Sequence, residues 1–174
     1  MKKLSLILSS LLIFFLSSLT SLANSQEKFI NFLKTEITVT DGDTIKMGNE
    51  KIRLFGIDAP EMKQLCKDKY NNPYACGHSS KTYLDSLINY PDYGDQIYCY
   101  YLERDRYKRI IGECFVGSES QININYLMVR RGQAVAYIKY SEKYLDAQNI
   151  AKKAKVGIWQ GTFDLPEEWR KKNK

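Results

Sequence analysis

The chain has 174 residues, one histidine, four cysteines and a formal net charge of +6. That length suits one domain with a core of useful size. The lone histidine and the lack of any C-x-x-C pair exclude zinc ribbons, which need closely paired ligands, while the mildly basic balance admits a polyanionic partner without demanding one.

Lys2 and Lys3 open the chain, and an apolar run from Leu4 to about Leu16 leads through serines to Ser21-Leu22-Ala23. A charged start, an apolar centre and a small-x-small end predict a secretory signal peptide over residues 1–23, cleaved near Ala23. The apolar run is short for a membrane span and is broken by serines, which disfavours an uncleaved anchor. The expectation is therefore one domain over residues 24–174, periplasmic or secreted, free of the membrane after cleavage and monomeric.

Residues 35–40, "TEITVT", alternate and are β-branched, so they predict a strand. "DGDT" follows, then a short strand "TIKM", a turn at Gly48-Asn49 and a third strand over 51–57, "KIRLFGI". Taken alone, Asp41-Gly42-Asp43-Thr44 is a polar hairpin turn or the floor of a metal site. Residues 58–76 are irregular, punctuated by Pro60, Asn71, Asn72 and Pro73. Tyr83, Leu84, Leu87 and Ile88 recur at helical spacing within 78–89. Residues 96–104 and 109–116 predict two strands around the turn "DRYK". A helix over about 123–131 ends at Gly132, and another runs from Ser141 as N-cap to about Ala154. The tail packs Trp159, Phe163 and Trp169 back on the domain, and its final "RKKNK" reads as a solvated end. The fold class predicted is α+β, mainly β: a five-stranded OB-type β-barrel with about three helices, preceded by the signal peptide.

In an exported chain, Cys66, Cys76, Cys99 and Cys114 point to two disulfides. Of the three pairings, Cys66–Cys76 closes a local loop and Cys99–Cys114 joins neighbouring strands, and this pairing is favoured.

The charged residues at turns and strand ends are Asp41, Asp43, Arg53, Asp58, Glu61 and Arg109. If their strands are neighbours, several carboxylates and two arginines meet on one side. Carboxylate oxygens without a histidine or thiolate suit Ca²⁺ or Mg²⁺ rather than zinc. Arginine presents a planar fork that matches phosphate. A carboxylate held off the metal can position and deprotonate water.

"DGDTIKM" followed by "RLFGIDAPE", together with "DRYKRIIGECF", resembles the staphylococcal-nuclease-like (thermonuclease) family over roughly Thr35 to Trp159. The resemblance implies a Ca²⁺-dependent nuclease that hydrolyses DNA and RNA, cleaves the 5′-O–P bond and leaves 3′-phosphates; single strands are the expected preference, because an open barrel face can splay bases onto aromatic rings. It implies Asp43, Asp58 and the backbone carbonyl of Ala59 as Ca²⁺ ligands, with Asp41 as the acid behind them. Glu61 is implied as the group that activates water, and Arg53 and Arg109 as the pair on the phosphate. Arg106, Tyr107 and Tyr137 match substrate-binding positions. The chain departs from the pattern in three places: a short gap between Met47 and Arg53, Lys108 where the family carries Gly or Gln, and the Cys66–Cys76 loop as an insertion. Asn125 reads as structural and His78 as a surface residue. The rivals are a non-catalytic OB module that only binds nucleic acid or a protein, and a Ca²⁺-stabilised adhesion domain. The retained set of Asp43, Arg53, Asp58, Glu61 and Arg109 argues against the first, and the two arginines against the second.

Overall fold

The computed structural model describes residues 29–117 and 122–174; the expected signal peptide lies outside the described residues. Strands β1 (Phe29–Leu33), β2 (Ile37–Asp41), β3 (Thr44–Met47) and β4 (Glu50–Leu54) come first in the chain. β2, β3 and β4 make an antiparallel meander. Side chains of a strand alternate between faces, so Val39, Ile45, Met47, Ile52 and Leu54 fall on the buried side. Two short pieces follow, β5 (Ile57–Asp58) and the β6 (Cys66–Lys67)–β7 (Pro73–Tyr74) hairpin. β8 (Gln96–Arg104) and β9 (Ile110–Val116) form a second antiparallel ribbon that buries Ile97, Cys99, Ile110, Cys114 and Val116. The two ribbons meet along one parallel seam, where Ile52, Arg53 and Leu54 of β4 lie opposite Ile110, Ile111 and Gly112 of β9.

All five predicted strands are present, and they belong to one mixed sheet. Two further strands extend it to seven: β1 pairs with β8, and β10 (Ile122–Asn123) pairs with β9. The order along the sheet is β1-β8-β9-β4-β3-β2. A separate two-stranded piece joins β5 to β11 (Val135–Ala136), with Asp58 opposite Val135.

Among the described residues there are four α-helices where about three were predicted: α1 (Cys76–Ile88), α2 (Ile124–Arg130), α3 (Leu145–Ala154) and α4 (Pro166–Lys172). α1 buries Leu84, Leu87 and Ile88 against the sheet. α2 is capped by Asn123, whose Oδ1 accepts from the Tyr126 N–H at 2.8 Å, and the chain leaves it at Gly132 with φ +64°. Asn125 is structural as expected: its Oδ1 accepts from the Cys114 N–H, and its Nδ2 donates to the carbonyls of Phe55 and Gly112.

Two predictions need correction. α3 does not start at Ser141; its N-cap is Tyr144. Lys143 and Tyr144 both send their polar ends to Glu113, at 2.6 Å each, and the helix begins only after them. The basic end of the chain is not a simple solvated tail either, because it forms α4. Pro166 occupies the first turn, Glu167 and Glu168 follow at the positive end of the helix dipole, and Arg170, Lys171 and Lys172 sit at its negative end.

Both disulfides form as expected, Cys66–Cys76 and Cys99–Cys114. Cys99 and Cys114 face each other across β8 and β9. The Cys66–Cys76 bridge anchors a small apolar cluster with Val135 and Ile158, against which Tyr74, Trp159 and Phe163 pack. The Trp159 and Phe163 rings meet edge to face at 4.9 Å. Lys67 and Thr162 exchange backbone hydrogen bonds, Lys67 N–H to Thr162 O at 2.8 Å and Thr162 N–H to Lys67 O at 3.2 Å. The disulfide-closed insertion is thus the seat on which the chain's last segment rests.

Candidate active site

The "DGDT" stretch is both a hairpin turn and a part of the site. The Asp43 N–H donates to Asp41 Oδ1 at 3.1 Å, which holds the turn. Gly42 is required by close approach: a Cβ there would collide with Ser80 and Ala59. The turn aims Asp43 inward, where it is 5% exposed. Its Oδ2 accepts from the Ala59 N–H at 2.8 Å, and its Oδ1 accepts from Thr44 Oγ1 at 3.1 Å.

Arg53 stands on β4 directly opposite Thr44. Its Nη1 pairs with Asp43 Oδ1, and its Nη2 donates to Asp58 Oδ1 at 2.9 Å. One guanidinium therefore joins two buried carboxylates, one from the β2–β3 turn and one from β5. Burial pulls the Arg53 guanidinium below its ordinary pKa, while Asp58 opposes that shift. Asp41 is shifted upward, chiefly by burial, against the pull of Arg53 and Arg109 and a hydrogen bond with Thr44.

Glu61 lies just past β5, and its backbone is clamped. Its N–H donates to Gln64 Oε1 at 3.1 Å, and its carbonyl accepts from the Gln64 N–H at 2.7 Å. Gln64 is fully buried and passes the tether on, donating through Nε2 to the Asp164 carbonyl at 2.7 Å. Gly77 packs against the carbonyl of Glu61, leaving no room for a side chain.

The residue that the sequence reading missed is Arg170. It reaches in from α4 and grips the site twice. Nη1 donates to Asp58 Oδ1 at 2.9 Å and to Glu61 Oε1 at 2.7 Å, and Nη2 donates to Asp58 Oδ2 at 2.9 Å. Burial alone would lower its pKa, but Asp58 and Glu61 together push it above its ordinary value. The helix that carries it was readable from "PEEWRKK". Its partners lie more than a hundred positions earlier, so no local pattern could have paired them.

Arg109 is held differently. Its guanidinium pairs with Asp105 at 2.8 Å rather than with Asp43 or Asp58. Its charge still acts on Asp41 and on Arg53. Asp105 also organises the "DRYK" turn, accepting through Oδ1 from the N–H groups of Tyr107 and Arg109 at 2.9 Å each. Lys108, where the resemblance expects Gly or Gln, sits at φ +64°, a left-handed conformation that costs a side-chain-bearing residue energy. Arg106 and Arg109 both place their guanidinium groups over the exposed Tyr107 ring, at 4.8 and 5.5 Å from its centroid. Tyr137 lies on the other flank, edge-on to Tyr140 at 4.8 Å. Its phenol is shifted upward first by burial and then by the nearby Asp58 and Glu167 charges.

The fold thus gathers Asp41, Asp43, Asp58 and Glu61 around two guanidinium groups, those of Arg53 and Arg170. It sets Arg106, Tyr107 and Arg109 to one side as a cationic, aromatic patch. Among the described residues, no group of three or more His, Cys, Asp or Glu is arranged to hold a metal by itself. The available donors are Asp43 and Asp58, hard and buried, brought within the span of a single guanidinium.

A profile of Staphylococcal nuclease homologues matches residues 51–161. Arg53, Asp58, Glu61 and Arg109 lie within that stretch; Asp41, Asp43 and Arg170 lie outside it. The chain is 33% identical over 146 residues to an uncharacterized endonuclease of Haemophilus influenzae, covering 79% of this chain and 72% of the relative. It is 30% identical over 154 residues to a micrococcal nuclease of Shigella flexneri, covering 79% and 80%. It is 33% identical over 126 residues to a succinoglycan biosynthesis protein of Rhizobium meliloti, covering 72% of this chain and spanning 63% of that relative's length.

Proposed function

The chain belongs to the staphylococcal nuclease homologue family, and on that footing we propose that it is an exported, Ca²⁺-dependent nuclease acting on DNA and RNA with little sequence preference. The observation that carries this reading is the junction of two buried carboxylates, Asp43 and Asp58, on one guanidinium, Arg53, with Glu61 joined to the same cluster. In this reading residues 1–23 are a cleaved signal peptide, and residues 24–174 are a monomeric domain. β2, β3, β4, β8 and β9 are then its five-stranded OB-type barrel, extended by β1 and β10.

The donor set fits a hard cation. Asp43 and Asp58 supply charged oxygens, the Ala59 carbonyl lies beside them in the chain, and water completes such a shell. Bound there, Ca²⁺ supplies a Lewis acid for the phosphoryl oxygens. Every other part belongs to side chains of this protein. Arg53 leaves its carboxylates for the phosphate, and Arg109 joins it from the turn that leads into β9. Their forks spread over the equatorial oxygens as negative charge builds. Glu61 accepts a proton from the attacking water; the new bond is water oxygen to phosphorus, and the bond that breaks is phosphorus to O5′. The O5′ leaving group takes a proton from solvent, and the other product ends in a 3′-phosphate. Asp41 backs the Asp43 turn. Arg106 and Tyr107 offer a charged, stackable edge to a nucleotide, and Tyr137 offers a second ring, which favours unpaired bases.

The test is cleavage of single-stranded DNA and of RNA by protein starting at Asn24, with Ca²⁺ or with chelator, beside Glu61→Gln and Arg53→Ala. Cleavage that needs Ca²⁺ and fails in both variants supports the reading. A folded, disulfide-intact wild type that binds but does not cut reduces the protein to a nucleic-acid-binding module.

A further inference from the structure

Asp58 is the most heavily engaged acid of the site. Its side chain is 1% exposed, and it accepts three guanidinium hydrogen bonds: two on Oδ1, from Arg53 and Arg170, and one on Oδ2, from Arg170. Arg53 has work elsewhere in the reading above. Arg170 has none, and it lies outside the stretch that the family profile matches.

We propose that Arg170 is a built-in competitor for the divalent cation: α4 presents a guanidinium that contests Asp58 with the metal, while it also holds Glu61, and so sets the cation concentration at which the site loads. This rests on the metal-dependent reading above. The reason is electrostatic and steric together. A guanidinium that spans both oxygens of a carboxylate leaves little of either for a metal, and a dication bound to the same group would stand a few ångströms from a like charge. The two occupants therefore exclude each other. Apparent metal affinity falls by the fraction of molecules in which Arg170 holds the acids.

The way α4 is mounted suits exchange. The segment before it is firmly seated by the Lys67–Thr162 bridge, the Trp159–Phe163 contact and the Gln64 hydrogen bond to the Asp164 carbonyl. Beyond that seat and the buried Pro166, one long ion pair, Lys139–Glu167 at 3.6 Å, ties the helix to another part of the domain, while Lys171–Glu167 at 3.2 Å and Lys172–Asp164 at 2.6 Å stay within the helix and its lead-in. Such exposed pairs hold weakly. Arg170 itself is 34% exposed, so water waits for the guanidinium when it lets go. Its release has a second effect: Glu61 Oε1 regains the lone pair that Arg170 had been occupying. Loading the metal and freeing the base become one event.

Calcium binding by titration calorimetry on wild type, Arg170→Gln and Arg170→Lys tests this directly. Couplings between two such occupants typically shift affinity by about 5- to 150-fold. Arg170→Gln should bind calcium tighter by a factor in that range, with Arg170→Lys in between, because lysine keeps the charge but loses the fork. Linkage is reciprocal, so calcium should also perturb the neighbouring Trp169. In a Trp159→Phe background, its fluorescence should change on calcium addition with Arg170 present and stay flat in Arg170→Gln. Thermal melts check that each variant is folded. Equal or weaker calcium binding in Arg170→Gln overturns the proposal. So does lost cleavage at unchanged calcium affinity, which would assign Arg170 to the substrate. A wild type that cleaves in Ca²⁺ alongside either result shows that this inference has failed while the nuclease reading stands. No calcium binding by any of the three proteins takes the calcium reading down as well.

Discussion

Two acids in this protein, one half-buried and one buried, gather cationic and polar partners, and they do so in opposite styles. Glu113, on β9, is surrounded by three donors of different kinds: Asn123 Nδ2, Lys143 Nζ and Tyr144 Oη, each at 2.6 Å. The donors come from the cap of α2 and the approach to α3, so the acid fastens two helices to a strand. One negative charge meets one positive charge, and neutral groups complete the shell. Asp58 is surrounded only by guanidinium groups, and each of those is shared with another acid, Asp43 or Glu61. Nothing in that second cluster belongs to a single partner. The first arrangement is suited to holding still, and the second to changing partners.

The comparison is sharpest where the two clusters are substituted in turn. Glu61→Gln should lower the cleavage rate by about 10²–10³-fold, on the scale of losing a group that acts only as the reaction proceeds, with the melting temperature unmoved. Glu113→Ala should do the reverse. It strands three donors, two of them on half-buried or buried residues, and should cost about 2–3 kcal/mol in urea unfolding, while cleavage well below the melting range stays near wild type. Equal loss of activity in the two variants would break the distinction. Lys108→Gly, in the "DRYK" turn, relieves a left-handed residue and should stabilise by about 0.5–1 kcal/mol in the same urea assay.

The smallest expected effect is a pH dependence. Burial by itself would raise Glu113, but the hydrogen bonds from Lys143, Tyr144 and Asn123 outweigh it and hold the carboxyl below its usual value of 4.5. The unfolded chain therefore takes up the proton first. The contribution of Glu113 is complete above about pH 5 and is lost as the pH falls through the folded value. Urea midpoints at pH 7 and in the acid range should draw closer together in Glu113→Gln than in wild type. An unchanged difference would show that the acid sensitivity lies in other carboxylates.

Much of this was legible in the sequence because it is local. Alternation in "TEITVT" and "QIYCYYLER" fixed the faces of strands, and the D-G-D-T turn needed only its own residues to form. The pairing of Cys99 with Cys114 followed from two strands around one turn. What escaped was non-local or depended on competition between neighbours. β1 was overlooked because its alternating "FINFL" gains a partner only from β8. Ser141 looked like a cap, yet Lys143 and Tyr144 were drawn off to Glu113, and the helix started later. Arg170 was invisible as a site residue because its partners, Asp58 and Glu61, lie across the whole length of the domain. The helix signals in "PEEWRKK", by contrast, are all local: Pro166 in the first turn, acids next to it and bases at the far end.

The parallel seam between β4 and β9 has a consequence for the order in which the molecule assembles. Each ribbon closes through tight turns, and such hairpins form within microseconds. The seam has no turn to close it. It must bring Ile52 against Ile110 across a long stretch of chain that holds β5, the disulfide insertion, α1 and β8. Contacts so distant in sequence carry a large loop-closure cost before any reward and slow folding. Arg53 stands on one side of that seam and Arg109 just before the other. Arg53 and Arg109, the pair proposed to hold the phosphate, come together only when this seam is made, so on that reading a half-folded chain with both ribbons intact would still be unable to cut.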